Sequence, residues 1–335
     1  MSLLDTLKTD PALFHAALPP KPAGKYAHFI LIRETESFPL FQTDGSLNVI
    51  RVRSGLNSDR QELMTRLILF KRKQSSPERL TGRELLRNFG IITDEGERRC
   101  VYNSADFCKR CPDCILYGYA IGDQGAEKSK VYVDTAYSVT PYETSHKAFS
   151  FNALYEHGTM TEQGTGKTRS SFGEQDYVVP QVFFPSIVTL RDPTYPAFLY
   201  VLGNLLRTER YGAQETRTGR VYNHLLGVVF ANGEIFSNLR FTQAIYDGVQ
   251  AGGQAADLLT REDVVAAALN AYRVLIDQEP VTRLAELIGP EAAALCDEAT
   301  ALYRSQEASA ALLRELDAQA RAYAAEYGPD KKGKK

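Results

Sequence analysis

The chain has 335 residues, 44% of them hydrophobic, and its 39 lysines and arginines stand against 41 aspartates and glutamates for a formal charge of −2. That length and balance exclude a disordered or fibrous protein and predict about two domains or one decorated domain. No stretch reaches the roughly eighteen apolar residues that cross a bilayer, and Met1-Ser2-Leu3-Leu4-Asp5 lacks the regions of a secretory signal, so a cytoplasmic location is expected.

In chain order, Ala27 to Thr35 reads as a strand. Leu47 to Arg53 reads as another, with Leu47, Val49, Arg51 and Arg53 alternating with Asn48, Ile50 and Val52, and Asp44-Gly45 forms a turn between the two. Met64 to Phe70 is a strand or buried segment, and Thr81 to Phe89 a short helix capped by Thr81 with Glu84 three residues on, which puts Arg83 and Arg87 on one face. Lys130 to Val139 and Pro180 to Leu190 carry the β-branched and aromatic residues of strands.

Between those two, Gly158 to Asp176 is polar and glycine-rich, a long mobile loop or protruding hairpin of the kind that is either functional or disordered. Pro196 to Arg207 is a helix candidate, Thr208 to Arg220 a basic turn or hairpin, and Leu225 to Ala231 a buried strand. The remainder reads as helical. Thr260 opens one helix, Pro290 suits a first turn, and Leu295, Leu302, Leu316 and Tyr323 fall on one stripe of the last helix.

The near-zero charge conceals segregation. Residues 51–110 hold fourteen basic side chains against eight acidic ones, and residues 251–330 hold six basic against fourteen acidic. Such asymmetry fits a polyanion-facing surface and a separate acidic one, against the plainer reading of two solvated faces.

Cys100, Cys108, Cys111 and Cys114 crowd together while Cys296 lies far away. Disulfides are rare in a reducing compartment, and four thiolates supply a closed tetrahedral shell, the pattern of structural zinc. An iron–sulfur cluster also uses four thiolates, but the C-x3-C-P ending of the bacterial run is missing. A redox role for Cys111 and Cys114 leaves the other two cysteines unexplained. Lys167-Thr168 resembles the end of a phosphate loop, but Thr161 stands where that motif needs glycine. The histidines show no metalloenzyme spacing.

Cys108 to Asp123 (CKRCPDCILYGYAIGD), Lys128 to Val139 (KSKVYVDTAYSV), TGRELLRNFGI at 81–91 and the glycine-rich interval after residue 157 together resemble the backbone subunit of type I-D CRISPR effector complexes. The resemblance covers most of residues 25–250. It implies an α+β fold: an RRM/ferredoxin-like core of the RAMP superfamily over 25–98 and 115–250, a zinc-binding insertion at 99–115, a thumb or lid at 156–180 and a helical domain at 251–330. The RNP1 octapeptide of true RRM proteins is absent, so stacking of bases on the central sheet is not expected.

The implied function is crRNA binding in antiviral defence. The implied partners are crRNA, target DNA, further copies of the chain and the other subunits of a Cascade-type complex. Arg51, Arg53, Arg60, Lys71, Arg72, Lys73, Arg83 and Arg87 become candidate guide contacts, with Arg210, Arg217 and Arg220 on a second surface and Lys167, Arg169 and Phe172 at the thumb. Related type III subunits cleave target RNA through a loop aspartate, and Asp44 stands in about that place. A solvated turn is the competing reading for Asp44, and a zinc-stabilised protein adaptor the competing reading for the chain.

Overall fold

The computed structural model describes residues 2–57, 62–168, 172–251 and 259–328, the side chains of Gln124 and Phe172 excepted. The first part runs α1 (Leu3–Lys8), β1 (Tyr26–Thr35), β2 (Val49–Arg53), β3 (Leu63–Leu69), α2 (Lys71–Asn88) and α3 (Pro112–Leu116). Short pieces follow: β4 (Tyr119–Ala120), β5 (Ala126–Glu127), β6 (Val131–Val133), β7 (Ala136–Tyr137) and α4 (Tyr142–Ser145). Then come β8 (His146–Asn152), β9 (Phe172–Val178), β10 (Phe183–Arg191), α5 (Tyr195–Arg207) and β11 (Val221–Ala231). The chain closes with α6 (Asn238–Ala251), α7 (Arg261–Ile276), β12 (Arg283–Ile288), α8 (Pro290–Arg304) and α9 (Gln306–Tyr327).

β1 is apolar on both faces and buried along almost its whole length, which makes it a central strand. It pairs antiparallel with β10 and β11; β6 joins beyond β10 and β12 beyond β11. Taken as β1, α2, β6, β10, α5 and β11, the chain follows the β-α-β-β-α-β order of a ferredoxin-like unit, with the fourth strand beside the first and the second strand outermost. β12 is an addition to that plan.

Each face of the sheet is covered. On one, Phe29, Leu31, Val188 and Phe230 pack under α5 and the rest of the larger core, which reaches α9. On the other, Ile30, Ile32, Ile187 and Val229 pack against α6 and α7. α2 meets α5 closely at Gly82, where a Cβ would collide with the Tyr200 hydroxyl and the Asn204 amide. A second sheet, β2-β3-β7, stands apart with its own small core around Phe41, Leu67 and Phe184.

Four local expectations change. α2 starts at Lys71, not Thr81, and runs through Pro77, because buried Gln74 and Glu78 tie its first turns to the core. Lys130 to Val139 splits into β6 and β7 of different sheets, with the Asp134 carbonyl at the break accepting from Gln74 Nε2 at 2.8 Å and Asn238 Nδ2 at 3.3 Å. The tail contains the strand β12, which pairs with β11. The last helical tract breaks at Ser305, whose hydroxyl caps α9.

Candidate metal knuckle and nucleic-acid cleft

The cysteine run folds as a knuckle between α2 and α9. Lys109, between two of the cysteines, takes a left-handed φ of 62° that turns the chain back on itself. The amides of Cys108 and Cys111 point at sulfur, 3.4 Å from Cys100 Sγ and 3.3 Å from Cys108 Sγ. Cys100 Sγ lies 3.9 Å from Cys111 Sγ and 3.6 Å from Cys114 Sγ, with Cys108 Sγ 3.9 Å from Cys114 Sγ. All four sulfurs fall within 4.8 Å of one another. A single tetrahedral ion with bonds of about 2.3 Å sets its ligands roughly 3.8 Å apart, so the cluster fits a structural metal site. Hydrogen bonding with Cys100, Cys108 and Cys114 pushes the Cys111 thiol up, a conflict that one divalent cation relieves by taking all four as thiolates.

Asp113, fully buried between two of the cysteines, joins this knuckle to α2. Its carboxylate accepts from Arg79 Nε at 2.7 Å and Nη2 at 3.0 Å, and from Arg83 Nη1 at 2.6 Å. Arg83 also donates to the Cys100 carbonyl at 2.5 Å and approaches Cys100 Sγ at 3.4 Å. Burial works against the Arg83 charge, but Asp113 and Cys100 more than offset it and hold the guanidinium protonated. Arg83 was expected on guide phosphates; the structure seals it inside the protein as part of the knuckle.

Along α2 also lies a cleft of about 560 Å³. Arg72 and Lys73 of α2 form one wall, Arg207 and Arg210 the other, with Phe70 and Thr43 also lining it. Glu84, Glu209 and Glu215 line it too. The two walls are fixed by a buried network. Arg33 of β1 donates to Glu78 of α2, to the Tyr211 hydroxyl and to Asn223, each at 2.8 Å. Tyr211 in turn reaches Glu78 at 3.2 Å. Burial raises the Glu78 carboxyl despite Arg33 beside it. Removing one partner from such a network costs more than the pair contributes, because a charge is left buried.

The other candidates fall as follows. Arg51 and Arg53 are exposed on β2, and Lys71 and Arg72 are exposed at the start of α2. Arg87 is spent partly on Asp94, 3.6 Å away. Arg220 pairs with Glu209 at 2.5 Å, Arg210 Nη1 donates to the Thr218 carbonyl, and Arg217 is exposed. Lys167 is exposed beyond the β8–β9 hairpin. Arg60, Arg169 and the Phe172 side chain lie outside the described residues. Asp44 is exposed in the loop closed by the Gln42–Leu47 bridge, one residue from cleft-lining Thr43. Among the described residues it joins no group of three or more metal-ligating side chains.

The charge count of residues 51–110 therefore overstates the accessible basic surface. Arg79, Arg83, Arg87, Arg98 and Arg99 each meet a carboxylate. Arg66 is buried against the carbonyls of Ser138, Val139 and Ser54. Sequence reasoning missed Asp113, Glu78 and Arg207. Asp113 had a signal, an acid between two metal ligands, but Glu78 and Arg207 acquire their roles only from tertiary contacts.

The chain matches the Csc2 CRISPR family over residues 13–313. The crystal structure of Thermofilum pendens Csc2 superposes with a TM-score of 0.64 at 15% identity, covering 96% of this chain and 95% of that one. A chain of a CRISPR RNA-guided surveillance complex in a pre-nicking state superposes with a TM-score of 0.50 at 12% identity, covering 77% of this chain and 89% of that one. These likenesses carry the fold. No curated protein is significantly similar in sequence.

Proposed function

The chain belongs to the Csc2 family of CRISPR proteins, backbone subunits of type I-D RNA-guided surveillance complexes, and from that premise we propose that it holds crRNA by its phosphates and adds copy to copy along the strand. One observation carries the phosphate reading: the cleft sets Arg72 and Lys73 opposite Arg207 and Arg210. β3 leads from the ribbon bearing Arg51 and Arg53, paired with Thr65 and Leu63, to Phe70 at the cleft, so a strand running along β3 would meet both basic groups. Lysine and arginine on such a track release counterions from the strand, whatever its sequence. Target DNA would then pair with the held guide, and neighbouring copies and other subunits would complete the assembly.

We infer that the knuckle takes zinc. Four thiolates at tetrahedral spacing close the coordination shell and leave no position for water, so the ion's contribution is structural. An iron–sulfur cluster spreads its four thiolates over two or four irons, which does not call for all four sulfurs at single-ion spacing. Asp44, an exposed loop carboxylate that joins no metal-binding group among the described residues, stays outside the proposed machinery.

Salt titration of a guide-length RNA tests the reading. Binding should weaken steeply with salt, and Arg72→Ala with Lys73→Ala should flatten the log–log slope by about two. Arg210→Ala should flatten it by about one. Affinity indifferent to both salt and substitution would sink the proposal. Small RNA should copurify with the protein; a nucleic-acid-free preparation that binds only proteins would favour the adaptor reading.

A further inference from the structure

Behind α2, on the knuckle side, is a second and smaller cavity of about 230 Å³. α2 lines it with Lys71, Arg72, Ser75, Ser76 and Arg79, and Tyr102 of the knuckle faces them. Its chemistry differs from that of the larger cleft, because no carboxylate is among its lining residues. Arg79 gives Nε and Nη2 to Asp113, which leaves Nη1 without a protein acceptor among the described residues. Lys71 approaches the Phe70 ring at 6.0 Å, and among the described residues no carboxylate pairs with Lys71 or Arg72. Three cations and three serine hydroxyls, those of Ser75, Ser76 and Ser129, thus surround a space with no carboxylate lining it.

We propose that this cavity is a phosphate subsite that seats one backbone phosphate of a nucleic-acid strand. Its far wall belongs to the metal knuckle: Tyr102 follows Cys100 by two residues, its hydroxyl lies 3.5 Å from Ser76 Oγ, and its ring lies 4.9 Å from the Arg79 guanidinium carbon. Arg72 lines both cavities, so a strand in the larger cleft can pass over the start of α2 with its next phosphate at Lys71. The polymer's identity rests on the proposed function. The anion chemistry does not.

Ser75 is half-buried on α2, so a carboxylate placed there puts negative charge into the cavity while the knuckle's own contacts are kept. Binding of a thirty-uridine RNA is measured across salt for the wild type, Ser75→Asp, Ser75→Asn and, as a distant control on α7, Asn270→Asp. Ser75→Asp should lose about tenfold in affinity and about one unit of salt slope; Ser75→Asn, which adds no charge, should lose less affinity and keep the slope; Asn270→Asp should stay close to wild type. If the wild type binds and Ser75→Asp behaves like Asn270→Asp, the subsite is overturned while RNA holding stands. Inorganic phosphate separates a free anion from a strand. In the absence of RNA it should slow amide exchange over residues 71–79 in the wild type but not in Ser75→Asp. Equal exchange in both overturns the subsite, even if RNA holding has failed on other grounds.

Discussion

The knuckle and the β8–β9 hairpin are both insertions into the same ferredoxin-like unit, yet they are held in opposite ways. The knuckle buries three of its four cysteines and ties α2 and α9 together, through Asp113 on one side and through Arg98 with Asp317 at 3.3 Å on the other. The hairpin leaves Phe149, Phe151 and Leu154 exposed at 38, 51 and 57%. It is fastened near its base, where the Tyr142 hydroxyl donates to Asp176 at 3.0 Å and Phe38 meets Phe149 edge-on. One insertion is built to stay put. The other carries apolar surface outward, the arrangement expected of a part that meets a partner.

The largest test of that contrast removes the knuckle's ligands. Cys108→Ser with Cys111→Ser should abolish stoichiometric metal and destabilise the chain by more than about 5 kcal/mol, read by metal analysis and thermal melting. An unchanged melt would make the knuckle as dispensable as the hairpin. Next, Asp113→Ala strands Arg83 in the interior and should cost about 3–5 kcal/mol in a denaturant titration; a loss below 1 kcal/mol would show that water reaches Arg83.

The core beneath both insertions supplies an intermediate effect. His28 is fully buried; its Nε2–H donates to the Gly233 carbonyl at 3.0 Å, so Nδ1 accepts from the Thr189 hydroxyl at 2.8 Å. Burial lowers its pKa from 6.5 to about 4. The unfolded chain therefore binds the proton first as pH falls, and stability present above pH 6.5 should drain away down to about pH 4, by roughly 3 kcal/mol. His28→Gln should flatten that stretch of the stability–pH curve. The smallest effect belongs to the hairpin: Phe151→Ala should change monomer stability by less than about 0.5 kcal/mol while lowering the cooperativity of binding to long RNA. A large loss of stability would mean the hairpin is anchored as firmly as the knuckle.

Sequence alone reveals the parts whose local signals agree with their surroundings. The continuous apolar run at β11, the Thr260 cap of α7 and the cysteine spacing are of this kind, since each carries its own chemistry. α2 hid its start because KRKQSSPE has no side-chain cap at Phe70, and only the buried contacts of Gln74 and Glu78 make it helical from Lys71. β12 hid because RLAELI favours a helix in isolation and becomes a strand by pairing with β11. Arg83 shows the limit most sharply. Helical spacing groups it with Arg87, but that spacing is blind to Asp113, which turns one of the two inward.

The layer of α6 and α7 over the sheet has a consequence for information. In RRM proteins the open sheet stacks bases and so develops preferences among them; here Ile30, Ile32, Ile187 and Val229 on that face are roofed over. Under the phosphate grip proposed above, a strand would keep its base edges turned to solvent and be held equally well whatever its letters. The scaffold would then contribute no sequence preference of its own. Choice of target would pass to the guide, and one unchanging protein would serve every new guide the cell acquires.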